Sequence, residues 1–418
     1  MKPDEPRVLV FSHLFPSPGQ PTAGVFVRER MFRVAKQLPL VVLAPQPWFP
    51  FQSIIRLFRP HFRTDAPRFE VMQGIEIHRP RVLCFPGILK WTDGFFMAVG
   101  SYLTARRLVK LHHLNLIDAH FGYPDGYAAT LLARWLRLPM MLTLRGKEER
   151  QLTMDVAGKL REAILGADRI VCVSDALRQV ALKVGADPAR VNVIGNGVDL
   201  SKFQPIARDE ARRALSLPEE ARVIVSVGTL VERKGFHRVI EVLPRLLLRF
   251  PDLYFLIVGG AGPEGDMSGQ IRAQIGALGL TGRVRLLGSY QPDQLKYPLS
   301  AADAFVLATR YEGWANVFLE AMACGLPVVT TRVGGNEQVV GDDAVGRVVE
   351  FGDSEALAAA ISEALTTSWD RARVRAYAER NSWEARIPLV VAQLRGLLEE
   401  RSAAGVEAAA FTSQTRMK

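Results

Sequence analysis

Short apolar segments alternate with longer segments of helical character, and this alternation constrains the fold more than any other feature of the sequence. Six segments of the first half are apolar, often β-branched and bounded by turn residues: 8–12, 40–44, 116–120, 140–144, 169–174 and 191–194. Helix-like segments lie between several of them, at 94–114, 125–136 and 175–184. Strands that alternate with helices predict an α/β fold with a parallel sheet covered by helices.

A second series of the same kind follows Asn196-Gly-Val-Asp199. Its predicted strands are 223–227, 253–258, 284–287, 304–307 and 327–331, and its predicted helices include 238–250, 317–324 and 355–365. The 418 residues exceed what one hydrophobic core usually holds. We therefore predict two doubly wound domains, 1–198 and 199–381, joined where Gly and Pro interrupt the pattern at 195–205. Because open α/β sheets bind ligands at the carboxyl ends of their strands, a site is expected at that edge.

Composition narrows the class of protein further. The three cysteines, Cys84, Cys172 and Cys324, lie far apart and form no disulfide framework, which favours a reducing compartment. No zinc spacing is recognisable among the histidines. The sequence begins without a secretory signal, and no apolar run is long enough to span a bilayer. We expect a cytoplasmic protein, in solution or at the inner face of the membrane.

Positive charge is concentrated in the N-terminal half. Residues 1–200 hold 27 Lys and Arg against 17 Asp and Glu, whereas residues 201–418 hold 26 of each. This half could face an anionic partner such as a phospholipid surface or a lipid-phosphate acceptor, or the excess could serve solubility alone. Residues 48–62 mix aromatic side chains with Arg56 and Arg59, which fits a membrane interface or a covered surface loop. No nucleic-acid-binding motif accompanies the basic residues.

Two glutamates spaced eight positions apart carry the strongest chemical signal. Glu312 follows a predicted strand, Glu320 lies in a predicted helix that begins near Asn316, and the segment reads EGWANVFLEAMACGLPVV. The backbone N–H groups that start such a helix form an anion site suited to a diphosphate. One carboxylate can then hold sugar hydroxyls and the other ribose hydroxyls on either side of the phosphates. The spacing of the two glutamates alone would be weak evidence for such a site. The predicted strand, the Gly-rich loop, the helix and the Gly-Leu-Pro sequence that ends the helix make it strong evidence.

With these motifs the sequence resembles the retaining GT-B glycosyltransferases of family 4, which have two Rossmann-like domains facing across a cleft. The resemblance covers nearly the whole chain and runs through an ordered series of motifs: 174–177 (SDAL), 196–199 (NGVD) with Phe203, 227–235 (VGTLVERKG), 258–264 (VGGAGPE), 284–288 (VRLLG), 301–303 (AAD), the Glu312/Glu320 segment and 333–337 (VGGNE). It implies an N-terminal acceptor domain, a C-terminal donor domain, a last helix at 382–401 that crosses back to the first domain, and a flexible tail at 402–418.

The resemblance also implies roles for individual residues. Glu312 would bind hydroxyls of the donor sugar, Glu320 would bind the nucleotide ribose, and Lys234 with Arg233 would neutralise the departing diphosphate. Fixed cations in a closed site stabilise the negative charge that develops on a leaving phosphate, so no metal or other cofactor is expected. The remaining donor-binding residues would be Gly24, Gly228, Thr229, Gly288, Gly313, Trp314, Ala315, Asn316 and Val317.

Two positions depart from the family pattern. The family usually has an arginine after the glycine of the post-strand loop, and this sequence has Thr229, which leaves the phosphate site one cation short unless Arg233 or another residue substitutes. Many relatives have a histidine where this chain has Arg145. Arg145 is predicted to contact a phosphate or an anionic acceptor, or to pair with Glu148 or Glu149.

Two further residues of the N-terminal half are candidates. Gly24 lies in a loop that resembles the family's glycine-rich loop after the first strand, where it would let the backbone approach the diphosphate, although an ordinary turn would look the same. His120 ends a predicted strand and could help to bind the acceptor, or it could be a hydrogen-bonded structural residue.

The sequence GAGPEG at 260–265 matches a dinucleotide-binding pattern literally, but Pro263 removes a needed N–H group and no acidic residue ends the following strand. We therefore predict transfer of a sugar from a UDP- or GDP-sugar to a hydroxyl of a glycan or lipid-linked acceptor in cell-surface polysaccharide synthesis. The bacterial exopolysaccharide and lipopolysaccharide transferases are the nearest type. The alternatives are a nucleotide-sugar-binding protein without turnover, a nucleotide-sugar epimerase, and an oxidoreductase that uses the 260–265 loop.

Overall fold

A computed structural model describes residues 5–58, 65–262 and 264–416 of the chain. The chain forms two compact units, one made of residues 1–195 together with 386–418 and the other of residues 196–385. The sequence analysis placed these divisions at 198/199 and 381/382. Each unit is built around its own, mainly parallel sheet. Among the described residues, no helix combines the length and the apolar character needed to cross a bilayer.

The first unit contains an eight-stranded sheet with the order β10-β9-β8-β7-β1-β2-β5-β4 and a separate parallel pair formed by β3 and β6. The strands are β1 Val8–Phe11, β2 Leu40–Leu43, β3 Gln46–Trp48, β4 Phe69–Met72, β5 Ile75–His78, β6 Arg81–Leu83, β7 Leu116–His120, β8 Met140–Leu144, β9 Arg169–Cys172 and β10 Val191–Val193. Strands β1, β7 and β8 are buried along their whole length. Helices cover both faces of a parallel sheet, which is why these strands read as continuous apolar runs.

The helices of the first unit lie between these strands. They are α1 Val25–Val34, α2 Gln52–Phe58, α3 Asp93–His112, α4 Tyr127–Leu136, α5 Glu148–Gln151, α6 Ala157–Leu165 and α7 Asp175–Val184. The start of α7 is encoded locally, because the Ser174 side chain accepts a hydrogen bond from the backbone N–H of Leu177. Gly185 in the left-handed conformation ends this helix.

The second unit contains a six-stranded parallel sheet with the order β13-β12-β11-β14-β15-β16. Its strands are β11 Arg222–Val227, β12 Leu253–Val258, β13 Val284–Gly288, β14 Ala304–Leu307, β15 Val328–Thr331 and β16 Gly346–Val349. Its helices are α8 Arg208–Ala214, α9 Phe236–Arg249, α10 Ser268–Ala277, α11 Lys296–Ala301, α12 Asn316–Ala323, α13 Asn336–Val340, α14 Ser354–Thr366 and α15 Arg371–Arg380. The strand order reverses at β11, which makes β11 and β14 the neighbours at the switch point.

The last helix, α16 Trp383–Arg416, extends further than the predicted 382–401. From Arg386 onward it belongs to the first unit. Ile387, Val390 and Leu394 are buried there, and the Arg169 guanidinium donates hydrogen bonds to Gln393 and Glu400.

The predicted α/β class is confirmed, and each segment predicted as a strand contains one. The sequence analysis did not find β3 to β6 in the first unit or β16 in the second. Strand β4 pairs antiparallel with β5, and both are short. The burial pattern of β4 alternates between exposed and half-buried positions, so this edge strand lacks the continuous apolar run on which the prediction depended. Residues 59–62 of the aromatic segment at 48–62 lie outside the described part of the chain.

Candidate active site

The loops that follow β11 and β14 meet at the carboxyl edge of the second sheet. Gly235 permits this approach, because it has a φ of 75° and an added Cβ would lie 1.9 Å from the carbonyl oxygen of Ala308. The backbone oxygen of Arg233 accepts hydrogen bonds from Arg310 N and from Thr309 Oγ1. The turn that carries Arg233 and Lys234 is thereby held against the loop that carries Glu312.

Glu312 and Lys234 form a close, largely buried ion pair. Lys234 Nζ lies 2.5 Å from Glu312 Oε1, and the two side chains keep 13% and 10% of their surface accessible. Glu312 Oε1 also lies 3.3 Å from Nη1 of Arg233 and 3.4 Å from Oγ1 of Thr309. An ammonium group has three donors, so the bond to Glu312 leaves two for another anion.

Arg233 links this pair to the loop after β12. Its Nε donates to Glu264 Oε2 over 2.7 Å. Burial lowers the pKa of Arg233, but the hydrogen bond to Glu264 and the charges of Glu312 and Glu264 outweigh burial and raise it above its usual value. The guanidinium therefore stays cationic, and the site holds two fixed cations.

Helix α12 begins directly after the Glu312 loop. Asn316, Val317 and Glu320 are its half-exposed residues at the spacing of one helical face, whereas Phe318 and Leu319 are buried. Within the described residues, Trp314 Nε1 and Asn316 Oδ1 are buried and have no hydrogen-bond partner. At the start of α12 the N–H groups of Asn316 and Phe318 donate to the carbonyl oxygens of Trp314 and Ala315, and two polar side-chain atoms beside them lack a partner among the described residues.

The other predicted donor residues of this unit lie at the same edge. Gly228 directly follows β11, and Gly288 is the last residue of β13. The N–H group of Gly259, which directly follows β12, donates to the Gly288 carbonyl. Thr229 is exposed beside Gly228. Gly313 and Ala315 belong to the loop before α12. The structure therefore gathers these residues on one sheet edge, and their contacts with a donor remain predictions.

Gly24 lies in the first unit, immediately before α1. Its φ is 64°, and an added Cβ would lie 1.9 Å from the carbonyl oxygen of Leu14. The glycine is therefore required by a close turn between the loop after β1 and the start of α1. This requirement explains the residue without a ligand, and its predicted contact with a diphosphate stays a prediction.

His120 and Arg145 are in contact, but His120 is fully buried. The guanidinium of Arg145 donates to His120 Nδ1 over 3.2 Å, so Nδ1 is an acceptor and the neutral ring carries its proton on Nε2. Burial, with the charges of Arg145 and Arg30, holds the pKa of His120 well below its usual value. Of these two contacting residues, only Arg145, which is half-buried, has side-chain surface that a ligand can reach.

Glu148 lies close enough to Arg145 for its charge to act on the pKa of the guanidinium, which it raises against the larger effect of burial, and it also contacts the main chain. Glu148 Oε1 accepts from the backbone N–H of Arg145, and Oε2 accepts from that of Gly146. The sequence analysis expected a side-chain salt bridge as one alternative. Since Glu148 is completely buried, it serves to hold the turn after β8 in shape.

Sequence reasoning missed several polar residues of the first unit. Asp118 is fully buried below His120, with 3.7 Å between its Oδ2 and His120 Nε2. His13 and Asp125 form a hydrogen-bonded pair at the end of β1. A polar residue inside or just after a buried strand was the available signal for Asp118 and His13, whereas Asp125 lies five residues beyond β7. Among the described residues, no three His, Cys, Asp or Glu side chains cluster as metal ligands would.

Two family models match the chain. Residues 55–202 match the model described as Glycosyltransferase Family 4, and residues 207–381 match the model described as Glycosyl transferases group 1. A D-inositol 3-phosphate glycosyltransferase of Corynebacterium urealyticum is 31% identical over 71% of this chain and 75% of its own. A Bacillus subtilis glycosyltransferase named for teichuronic acid biosynthesis, TuaC, is 29% identical over 80% and 83% of the two chains.

Solved structures show the same fold. The Anabaena protein HepE, solved in complex with UDP, superimposes with a TM-score of 0.71 at 18% identity and covers 93% of this chain and 100% of its own. The two α/β units and these matches thus define a glycosyltransferase of the GT-B fold. More narrowly, the chain belongs to the family 4 (group 1) glycosyltransferases, as the sequence resemblance implied.

Proposed function

We propose that this enzyme transfers a sugar from a nucleoside-diphosphate sugar, carried by UDP or GDP, to a hydroxyl of a glycan or lipid-linked acceptor, with retention of configuration. The observation that carries this proposal is the Lys234–Glu312 pair beside the start of α12. The UDP complex of HepE, a protein of the same fold, and the names of the relatives given above support a nucleotide-sugar donor and cell-surface polysaccharide synthesis.

The pair suits the chemistry of the leaving group. Cleavage of the sugar–phosphate bond places negative charge on the β-phosphate while the sugar becomes positively charged at its anomeric carbon. Lys234 and Arg233, together with the N–H groups of α12, supply fixed positive charge where a divalent ion would otherwise be needed. Glu312 orients both cations and has a second oxygen for sugar hydroxyls. Glu320, on the half-exposed face of α12, would hold the ribose.

Retention requires that the acceptor oxygen arrives on the face that the phosphate leaves. We propose front-face attack, in which the acceptor hydroxyl gives its proton to the departing phosphate oxygen while the new glycosidic bond forms. The anomeric configuration of the product, read by proton NMR, tests this step. An inverted product would contradict it.

The donor site is tested by Lys234→Met and Glu312→Gln. We expect each to lower kcat by about 10²- to 10³-fold, because each removes or releases a charge that stabilises the transition state. UDP or GDP should still raise the melting temperature of Glu312→Gln, since the nucleotide binds the native state only. Lys202→Met, which removes a 38% exposed lysine that pairs with Asp199, is the matched control.

Two results would refute this assignment. Wild-type protein that binds UDP or GDP but never releases sugar would be a binding protein without turnover, and isomerisation of the donor without an acceptor would indicate an epimerase. An unchanged kcat in Lys234→Met would show that this cation does not stabilise the departing phosphate.

We further propose that the first unit contacts an anionic membrane. Helix α3 presents one exposed stripe at helical spacing, which we call the α3 stripe: Phe95, Val99, Leu103, Arg106 and Lys110. Its first three residues are apolar and its last two are basic. Helix α2, Gln52–Phe58, exposes further large apolar side chains, with Phe58 83% exposed. Apolar side chains at the acyl boundary with basic side chains at the headgroups fit an anionic bilayer.

Vesicle sedimentation tests this contact. Wild-type protein should sediment with vesicles of phosphatidylglycerol and phosphatidylcholine, and much less with phosphatidylcholine alone. Leu103→Glu should reduce the bound fraction several-fold, because it places a negative charge within the α3 stripe. Leu248→Glu, at an 87% exposed leucine of α9, is the control. Equal binding of wild type and Leu103→Glu would rule the α3 stripe out as the contact surface.

A further inference from the structure

Three arginines surround the single carboxylate of Asp303 at the amino end of the second sheet. Asp303 directly precedes β14. Its Oδ1 accepts a hydrogen bond from Arg208 Nη2, and its Oδ2 lies 3.2 Å from Arg212 Nη2. Arg371 Nη2 lies 4.0 Å from Oδ1 of the same carboxylate. Because Glu312 follows the carboxyl end of β14, this cluster lies at the opposite edge of the sheet from the proposed donor site.

The charges of this cluster do not balance. Three guanidinium groups stay cationic at neutral pH, whereas Asp303 supplies one negative charge. Burial lowers the pKa of Arg212, and the charges of Arg208 and Arg371 lower it further. Glu220 acts in the opposite direction, but its effect on this pKa is smaller than that of Asp303. The cluster therefore has excess positive charge, and an added anion would stabilise it.

Other acidic side chains beside the cluster are engaged elsewhere. Asp209 of α8 pairs with Arg213 over 2.8 Å. The side chain of Asp370 caps α15 and accepts a hydrogen bond from the backbone N–H of Arg373. These two carboxylates therefore leave the excess charge of the cluster in place.

Two of the three guanidinium groups have donors that a ligand can reach. Arg212 is buried, and its three nitrogen atoms all donate within the protein. The side chains of Arg208 and Arg371 keep 47% and 37% of their surface accessible. In the described part of the chain, Arg208 donates only to Asp303 and Arg371 only to the Ala302 carbonyl, each through Nη2. The Nε and Nη1 groups of both side chains are thus available to an anion.

These two guanidinium groups suit a phosphate group. They share one carboxylate, and the charge of Arg208 is close enough to lower the pKa of Arg371, on which burial has the larger effect. A phosphomonoester carries nearly two negative charges at neutral pH and has three terminal oxygens, so it can accept from both guanidinium groups and offset the excess charge. A carboxylate has one charge and two oxygens, so it would offset only part of the excess.

We propose that Arg208 and Arg371 bind a phosphate group, as the free ion or as part of a phosphomonoester, at the amino end of the second sheet. Asp303 is the positioning residue that holds both guanidinium groups in place. Bound phosphate would connect α8 to α15 and thereby stabilise the second unit. This site goes beyond the proposed glycosyl transfer and does not depend on it.

Calorimetric titration of the full chain with inorganic phosphate, at constant ionic strength, tests the site. Arg208→Gln and Arg371→Gln should each lower the affinity about tenfold or more, because each removes charge-assisted hydrogen bonds to the anion. Arg213→Gln and Arg373→Gln are the matched controls, since they remove exposed arginines from the same two helices. Both controls should bind phosphate as the wild type does.

The melting temperature without phosphate separates ligand binding from a structural role. Asp303 still has Arg212 and the backbone N–H of Val223 as donors in Arg208→Gln. The substitution also removes repulsion between like charges, so the melting temperature should stay the same or rise. A purely structural Arg208 would instead show a lower melting temperature and an unchanged phosphate affinity, which would contradict the proposal.

Glycerol 3-phosphate and acetate identify the ligand. Glycerol 3-phosphate that binds at least as tightly as inorganic phosphate would support a phosphomonoester, and weaker binding would support the free ion. The proposal is overturned if the wild type binds no phosphate, if both glutamine variants keep the affinity, or if acetate binds as tightly as phosphate. Lys234→Met should keep the phosphate affinity. A loss there, with none in Arg208→Gln, would place the phosphate at the proposed donor site instead.

Discussion

At the scale of single residues, the first unit contains a fully buried carboxyl group whose two oxygens have no hydrogen-bond partner among the described residues. Asp118 lies inside the sheet with Arg30 and Arg145 as the charges nearest to it. Burial raises the pKa of Asp118 to about 7, although both arginines act to lower it. The same burial lowers the pKa of Arg30 to about 10. The interior of this unit therefore contains charges whose balance changes near neutral pH.

We predict a pH dependence of stability from Asp118. Its pKa is raised on folding from an ordinary value of 3.8, so its stabilising contribution is complete below pH 3.8 and is lost as the pH rises towards 7. The melting temperature of the wild type should therefore fall from pH 5 to pH 8 by more than that of Asp118→Asn, which cannot titrate. Asp155→Asn, at an exposed position of the same unit, should behave like the wild type. Parallel pH profiles for wild type and Asp118→Asn would contradict the shifted pKa.

At the scale of secondary-structure elements, the proposed donor site depends on the start of α12 and not on the length of this helix. It has eight residues, no acidic residue in its first turn and no side-chain cap. A helix start of this kind retains its positive partial charge for a ligand. Strand β14 and the tight turn at Gly235 bring Lys234 to the same place.

Val317→Asp separates helix stability from anion binding. An aspartate in the first turn interacts favourably with the helix dipole, so the melting temperature should stay the same or rise slightly. The same charge would repel a diphosphate, and we expect the affinity for UDP or GDP to fall about tenfold or more in calorimetric titration. Val317→Asn, similar in size and uncharged, should bind nearly as well as the wild type. Equal nucleotide affinity in the two variants would show that the diphosphate does not rest on α12.

The elements also show where sequence reasoning works. Strands β1, β7 and β8 were found because a strand buried on both faces is a continuous apolar run. The pair β3 and β6 was missed because its residues are mostly half-buried and include Pro47. Edge strands depend on their neighbours for definition, and a local pattern does not contain those neighbours.

At the scale of the whole molecule, α16 completes the core of the first unit although it follows the second unit in sequence. Leu394 is fully buried there, and we expect Leu394→Ala to destabilise the first unit by about 2–5 kcal/mol. Hydrogen–deuterium exchange should accelerate in peptides that contain β9 and β10, and should not change in peptides that contain β12. Leu389→Ala, at a residue of the same helix that is 46% exposed, should have little effect. Uniform acceleration in both units would contradict the assignment of this helix.

The sequence by itself determined the α/β class, the two series of strands and helices, and the segment from Glu312 to Glu320, because strand periodicity, turn residues and helix starts are encoded within a few residues. Only the tertiary structure decided which side chains meet. Lys234 reaches Glu312 across 78 positions because β11 and β14 are neighbours in their sheet. His13 reaches Asp125 across 112 positions because β7 lies beside β1. Strand order follows from the packing of the whole sheet, so no local pattern contains it.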